Sequence, residues 1–496
     1  MSHPILIQSL IEQLPQPTVC YETHISWVII SGEWAYKIKK PVNYGFIDYT
    51  TLDKRKHYCE LEVKLNCRLA KSLYIGTVPI TGSEAEPRFS VQGDTIEYAV
   101  KMRAFNQSQL FSSLIQSNQL TNQHFLSISQ QCAEFHRQAE ISEDTYYGTP
   151  EAVIAPMREN FKALNELKAG HRYQVELNDM ALWVEEKYHA HLPKLKERKA
   201  AGFIRATHGD LHLGNMVLIN EKPVIFDCIE FNESFRWTDT MGDVGFLTMD
   251  LADKKRSDLA SQFANRYFDI TYDYDGAQLL SFYAAYRAMV RAKVAAIQLE
   301  HIELNHSLYQ TLTSSLEKCI QSALNETRIT APRLILTHGV AGSGKTTYTN
   351  RLLTDTRVIR FSSDIIRKHL YQLEPFKACP EDQKAHLYSE GAHLRTYQML
   401  FKLTEQFLKA NFTVIVDATF IRSAQRAQFI ALARSLNIET TIYSFEPSAQ
   451  QLEAQLESRQ DQHGASDGDV AIARAQLKIR EPVSETEGAK IERILE

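Results

Sequence analysis

The 496-residue chain lacks several things, and each lack removes a class of protein. No stretch reaches the roughly 18 consecutive apolar residues that a membrane-spanning helix needs. The first residues, Met1-Ser2-His3-Pro4-Ile5, have neither the basic nor the apolar segment of a secretory signal. The seven cysteines (Cys20, Cys59, Cys67, Cys132, Cys228, Cys319, Cys379) are scattered, odd in number and without a C-x-x-C pair, which fits reduced thiols rather than a disulfide scaffold. Neither sign of charge dominates: 55 Lys and Arg against 60 Asp and Glu leave a net charge of −5, so no broad nucleic-acid-binding surface is expected. Internal repeats and low-complexity tracts are absent. The expectation is a soluble, cytoplasmic protein with no membrane partner; nothing in these features bears on oligomeric state.

What is present is a globular composition, 44% apolar and 23% charged, in a chain too long for one core, so two to four domains are expected. Gly339-Val340-Ala341-Gly342-Ser343-Gly344-Lys345-Thr346 is a complete G-x-x-x-x-G-K-[ST] run between an apolar, strand-like segment (Leu334 to Thr337) and a helix-compatible one. Gly339, Gly342 and Gly344 let backbone N–H groups, with those of Ser343 and Thr347, curl around phosphate oxygens. Lys345 reaches the β/γ-phosphates, and the Thr346 hydroxyl can ligate Mg²⁺ at a helix N-terminus whose dipole favours anions. This part of the chain is expected to bind ATP, or another nucleoside triphosphate, with Mg²⁺.

A second signature lies upstream. In His208-Gly209-Asp210-Leu211-His212-Leu213-Gly214-Asn215, followed by Val224-Ile225-Phe226-Asp227, the Asp210 to Asn215 spacing equals that of the protein-kinase catalytic loop, in which an Asp accepts the substrate hydroxyl proton and an Asn holds metal. Met216 to Phe226 reads as a tight hairpin. If Ile219 faces Pro223, Asn215 comes opposite Asp227 with Cβ atoms on the order of 5 Å apart, a two-ligand Mg²⁺ site that a bound nucleotide would complete. Asp210 is the candidate catalytic base. A cation for the nucleotide phosphates is expected from Trp34-Ala35-Tyr36-Lys37, with Glu62 as its helix partner; Lys39 and Glu60 are rivals, because Lys37 and Lys39 share a strand face.

Boundaries follow from pattern. β-prone runs at Ser26 to Ser31, Trp34 to Lys39 and Thr95 to Arg103, with a helix over Leu52 to Ser72, suggest a kinase-like N-lobe over residues 1–104. Helical patterns carry a C-lobe over 105–325, and the aperiodic stretch ending at Pro332 makes 326–332 a linker. From 333 to 496 strands (Leu334 to Thr337, Val358 to Phe361, Phe412 to Val416, Glu439 to Ser444) alternate with helices (from Thr346, from Asp364, one long helix within Lys384 to Lys409, Ser423 to Leu436, Ala449 to Arg459). The fold class expected is an α+β bilobal kinase-like unit followed by an α/β P-loop domain, a parallel sheet with helices on both faces. In that domain Asp364, after the second strand, is a candidate base with Arg367 one turn later as a phosphate-holding group. Asp417, ending the apolar strand Val414-Ile415-Val416, is a candidate Mg²⁺ partner beside Thr346.

The runs Tyr36-Lys37-Ile38-Lys39-Lys40-Pro41-Val42, Gly45-Phe46-Ile47-Asp48-Tyr49 and Glu62-Val63-Lys64-Leu65-Asn66, with the His208 to Asn215 loop, Phe231-Asn232, Arg236, Asp239 and Asp243-Val244-Gly245-Phe246-Leu247, resemble the aminoglycoside phosphotransferase-like kinases, especially the bacterial branch fused to a C-terminal P-loop kinase. The resemblance implies a bilobal fold, Asp210 as base, and Asn215 and Asp227 as metal ligands. Asp417-Ala418-Thr419-Phe420, with Arg422 and Arg426, resembles P-loop kinases of the polynucleotide-kinase and zeta-toxin group. That likeness implies a lid at about 457–476 contributing Arg459 and Arg474 to the transferring phosphoryl group. One departure is plain: no glycine-rich loop precedes the Lys37 strand, and the turn in its place is Glu22-Thr23-His24. Three functions are therefore compatible with the sequence. The leading one is a tandem phosphotransferase acting on hydroxyl acceptors (a small molecule, a nucleotide or an RNA end). In the second, only the P-loop domain is active and the first unit is a substrate-binding or regulatory pseudokinase. In the third, a P-loop ATPase switch gates the first kinase.

Overall fold

The computed structural model describes residues 3–45, 47–304, 306–448, 451–452 and 470–494. It divides into two compact units, Met1–Lys254 with Leu279–Glu326, and Lys255–Gln278 with Thr327–Glu496.

The first unit opens with a six-stranded antiparallel sheet built from β1 (Thr18–Glu22), β2 (Ser26–Ser31), β3 (Trp34–Lys39), β4 (Tyr74–Gly82), β5 (Pro87–Phe89) and β6 (Thr95–Arg103), in the order β1-β2-β3-β6-β4-β5. Alternation along β3 explains its two faces. Tyr36 and Ile38 join Ile29, Ile80 and Ala99 in a core that also takes Ile7 and Leu10 from the helix Ile5–Gln13. Ala35 faces the other way, into a core with Val100, Leu73 and Cys59 of the helix Leu52–Asn66. Lys37 and Lys39 share that second face. On the covering helix Arg55, Cys59, Glu62 and Asn66 recur at helical spacing and are all buried, so Glu62 is carried inward by periodicity alone. Thr51 caps this helix by accepting the Lys54 N–H at 3.3 Å.

The remainder of the unit is helical, with two short ribbons: β7 (Ile204–Ala206) pairs with β10 (Trp237–Asp239), and β8 (Met216–Ile219) with β9 (Lys222–Ile225). Helix Met241–Asp253 is buried along most of its length, and helix Leu280–Glu300 is buried over much of its surface.

The second unit is a five-stranded parallel sheet, β11 (Arg333–His338), β12 (Val358–Ser362), β13 (Thr413–Asp417), β14 (Glu439–Phe445) and β15 (Lys490–Ile494), in the order β12-β13-β11-β14-β15. The strands expected from the sequence form; β15, the short charged and apolar run Lys490-Ile491-Glu492-Arg493-Ile494, is an addition. The long helix expected within Lys384 to Lys409 is Glu390–Lys409, and a short helix, Glu381–Leu387, precedes it; the two are separated where Ser389 takes an extended conformation and accepts the Ala392 N–H as an N-cap. The helix expected over Ala449 to Arg459 lies almost wholly outside the described residues.

Residues Lys255–Gln278, expected within the kinase-like C-lobe, belong to the second unit. The helix Ser257–Thr271 presents Asn265 to the edge strand β12, where its side-chain amide accepts from Arg360 N–H at 2.8 Å and donates to Val358 O at 3.0 Å. One side chain thus pairs an exposed sheet edge as a neighbouring strand would. Arg360 is also bonded to the buried Asp269 at 3.2 Å. Among the described residues no helix is long and apolar enough to cross a membrane.

Candidate active sites

In the first unit, the strand-helix ion pair is present and resolves the two lysines. Lys37 Nζ lies 2.9 Å from Glu62 Oε1 and 2.7 Å from Asp227 Oδ1. Lys39 Nζ takes the other Glu62 oxygen at 2.6 Å and also Glu230, which accepts in turn from Tyr49 OH at 2.7 Å. Lys37 is therefore the lysine that faces the cleft, and Lys39, 1% exposed, is a buried counterion. Glu60 is exposed and takes no part. Burial pushes the Glu62 carboxyl up, but the two ammonium groups outweigh it and hold it down at about 2.

The loop bearing Asp210 is fixed from behind by two carboxylates seven residues apart on helix Met241–Asp253. Asp243 accepts the backbone N–H of His208 (2.8 Å) and of Gly209 (2.9 Å), and lies 3.1 Å from His136 Nε2. Asp250 accepts the N–H of Leu213 at 2.9 Å and pairs with Arg291. Gly209 has a φ of 82°, and a Cβ there would lie 2.8 Å from Phe235 O, so the tight entry to Asp210 requires glycine. Asp243 was among the residues that carried the resemblance, but its role could have been found directly: two acids at i and i+7 in an apolar helix must meet donors.

Asn215 Nδ2 donates to the backbone oxygen and to Oδ2 of Asp210, both at 3.0 Å, which leaves Oδ1 as the amide's acceptor for a cation. His212 Nε2 lies 3.3 Å from Asp210. Burial raises the Asp210 carboxyl, but His212 prevails and holds it near 2, so it is ionised at neutral pH.

The hairpin register differs by one from expectation. Met216 pairs with Ile225 and Ile219 with Lys222, so the loop is only Asn220 and Glu221, both left-handed (φ 49° and 60°). A left-handed glutamate is uncommon, so the sequence carries no signal for a two-residue loop at this place. Asn215 consequently faces Phe226, whose N–H it accepts at 3.0 Å, and Asp227 lies one residue beyond. A φ of 65° at Asp227 turns the chain there, and Asn66 Oδ1 accepts the next N–H, of Cys228, at 2.9 Å. Asp227 and Asn215 still line the same cavity, of about 980 Å³, together with Lys37 and Asp210. The glycine-free turn borders it too, with Thr23 and His24 in its wall. Thr23 Oγ1 closes that turn by accepting the Ser26 N–H at 2.9 Å.

In the second unit the loop after the central strand β11 has left-handed Gly342 and Gly344 (φ 84° and 86°), and a Cβ at Gly339 would lie 2.7 Å from Ser343 Oγ. Thr346 Oγ1 donates to Asp417 Oδ2 at 2.7 Å. Thr347 follows it, exposed, on the first turn of the helix Lys345–Arg351. Lys345 Nζ is turned back on Val340 O at 2.7 Å, and the Ala341 N–H is taken by Gln476 Oε1 at 2.7 Å. Ser362 pairs in register with Asp417, which brings Asp364 to the same end of the sheet. Asp364 and Arg367 are joined at 2.6 Å, with Arg367 packed over Tyr388. Arg474 is exposed on the helix Val470–Ile479 that carries Gln476, whereas Arg459 and most of the expected lid lie outside the described residues. Arg426, one of the arginines in the resemblance, is wholly buried. It pairs with Glu487 at 2.7 Å and donates to the carbonyls of Phe420, Glu481 and Pro482, so it organises the fold.

Residues 123–280 match the phosphotransferase enzyme family and residues 334–483 match the AAA domain. The chain is a kinase with a phosphotransferase-family domain and a P-loop domain. Uncharacterised proteins of Mycobacterium tuberculosis and Mycobacterium bovis are 29% identical over 421 residues, 82% of this chain and 79% of theirs. Among solved structures, an amicoumacin kinase in complex with AMP-PNP, Ca²⁺ and Ami is similar over 66% of this chain and 94% of its own, at 12% identity and a TM-score of 0.42. A choline/ethanolamine kinase family protein from Mesorhizobium loti is similar over 64% and 94%, at 13% identity and 0.37. The phosphotransferase-family match begins at 123, after the strand-helix ion pair, so Lys37 and Glu62 rest on the geometry above.

Proposed function

We propose that both units transfer the γ-phosphoryl group of ATP to hydroxyl acceptors. The observation that carries the reading is the convergence of Lys37, Asp210, Asn215 and Asp227 on one cavity, with Glu62 paired to Lys37 from behind. In the first unit Lys37 neutralises nucleotide phosphate charge, and the Asp210 carboxylate, already ionised, orients the acceptor hydroxyl and takes its proton as the oxygen–phosphorus bond forms and the bond from phosphorus to the β–γ bridging oxygen breaks. Asn215 Oδ1 and the Asp227 carboxylate are hard oxygen donors that suit Mg²⁺. The ion, when bound, would supply charge neutralisation on the phosphates. In the P-loop unit Lys345, Thr346 and Asp417 suit the same nucleotide and ion, Asp364 is the candidate base, and Arg367 and Arg474 are candidate phosphate-holding groups; the likeness to zeta-toxin and polynucleotide kinases belongs to this reading.

A pseudokinase reading of the first unit has one observation in its favour, the glycine-free turn over the cavity. A P-loop ATPase gating the first unit is a third outcome of the same test. Label from the γ-phosphate is followed into acceptors for the wild type, Asp210→Asn and Lys345→Ala. Separate products lost in the two variants are expected. Loss with Lys345→Ala alone would leave the first unit a pseudokinase, and ATP hydrolysis without labelled product would overturn transfer altogether.

A further inference from the structure

The first cavity contains a charge with no hydrogen-bonded or ion-paired counterpart among the described residues. Arg287, on helix Leu280–Glu300, is only 4% exposed, yet it lines the cavity that holds Asp210. Among the described residues its guanidinium has no hydrogen-bond or ion-pair partner, and its Nε is enclosed without one. It lies over the Phe246 ring at 5.2 Å and close to that of Tyr286 at 5.3 Å, faces that hold a cation but accept no N–H bond in its plane. The contrast with the same helix one turn on is direct, since Arg291 is tied to Asp250. The two acids that feel the Arg287 charge are otherwise provided for: Asp243 by two backbone N–H groups and His136, Asp210 by His212 and Asn215. A buried arginine left unpaired is costly and is retained where a partner arrives from outside. Five N–H donors in a fixed fork match a planar or tetrahedral oxyanion. Lys293, half-buried in the same cavity wall, adds a second positive group opposite Glu159.

We propose that the acceptor phosphorylated at Asp210 carries an oxyanion, a phosphate ester or a carboxylate, besides its hydroxyl, and that Arg287 binds that group. The proposal rests on the phosphotransfer reading of this cavity and narrows it, away from cationic amino sugars and amino alcohols.

The test uses the full-length protein with AMP-PNP and Mg²⁺ saturating both nucleotide sites, their binding heat being measured first. Glycerol 3-phosphate, glycerate, inorganic phosphate, glycerol and choline are then titrated by calorimetry into the wild type and Arg287→Met. An anionic probe is expected to bind at least about tenfold more tightly than glycerol or choline, and Arg287→Met to abolish that preference. Phosphate and carboxylate are separated by which of the first two probes wins. A preference unchanged in Arg287→Met, tighter binding of choline, or no Arg287-dependent binding of any anion overturns the proposal. Thermal unfolding without ligand is the second measurement. Replacing an unpaired buried charge should leave Tm equal or higher, and a lowered Tm would assign Arg287 to holding the fold instead. Failure of AMP-PNP to bind the first unit, with Arg287-dependent anion binding intact, would remove the nucleotide reading alone.

Discussion

Removing the Asp243 carboxylate tests whether the candidate base is held by the helix behind it. In Asp243→Ala, the buried N–H groups of His208 and Gly209 lose acceptors at 2.8 and 2.9 Å, and His136 loses its contact with Asp243. A buried donor left unpaired costs about 1–3 kcal/mol, so the two backbone groups together cost roughly 2–6 kcal/mol, toward the upper end because the lost acceptor is charged. A domain of ordinary stability, about 5–15 kcal/mol, survives most of that range. Asp243→Asn keeps one acceptor oxygen and should cost about half as much. Urea unfolding followed by a probe in the first unit measures the loss, and labelled-phosphate transfer measures activity in parallel. A loss of stability under about 1 kcal/mol alongside abolished transfer would refute the reasoning, because Asp243 would then act in the chemistry and not through the loop.

Lys37→Met should abolish transfer by the first unit with the fold intact, whereas Lys39→Met, which strands Glu230 and half of Glu62 in the interior, should lower Tm by several degrees; thermal unfolding and the transfer assay on each variant distinguish them. Burial first, then the charges of Arg480 and Arg426, hold the wholly buried His338 down at about 3, below its unfolded value of 6.5. Between those values the unfolded state takes a proton that the folded state refuses. Stability of the P-loop unit is therefore retained above pH 6.5 and falls as pH drops below it, by up to about 1.4 kcal/mol per pH unit from this group. A His338→Gln variant should flatten the Tm profile over that window, and an unchanged slope would exclude His338 as its source. Gln476→Ala frees the Ala341 N–H and should tighten nucleotide binding to the P-loop by up to about tenfold, read by calorimetry; weaker binding would instead make Gln476 a ligand-side group.

The parts of these sites that could be read from the chain are those whose partners are near in sequence or set by periodicity. Gly339 to Thr346 is a continuous motif, Asp210 and Asn215 are five residues apart, and Glu62 follows from its helix face. What escaped depends on distant pairing. Lys37 and Lys39 share a strand face, and only the approach of Asp227 and Glu230 from far along the chain distinguishes them. The hairpin slipped by one because its two-residue loop uses a left-handed glutamate. Arg426 resembled a phosphate ligand in sequence, yet its partners beyond the nearby Phe420 carbonyl are the carbonyls of Glu481 and Pro482 and the carboxylate of Glu487, all over fifty residues later. Arg287 has no motif around it, and an arginine in a helix is ordinarily solvated.

The assignment of Lys255–Gln278 to the P-loop unit means that the polypeptide passes between the units after Lys254, after Gln278 and after Glu326. A protease that nicks Thr327–Pro332 severs only the last of these passages. The two fragments would still elute together, stapled by Asn265 on the β12 edge and by Asp269 on Arg360. A gene truncated to begin at Thr327 would encode the same sheet with its β12 edge bare, and so a product prone to join edge to edge with its own kind.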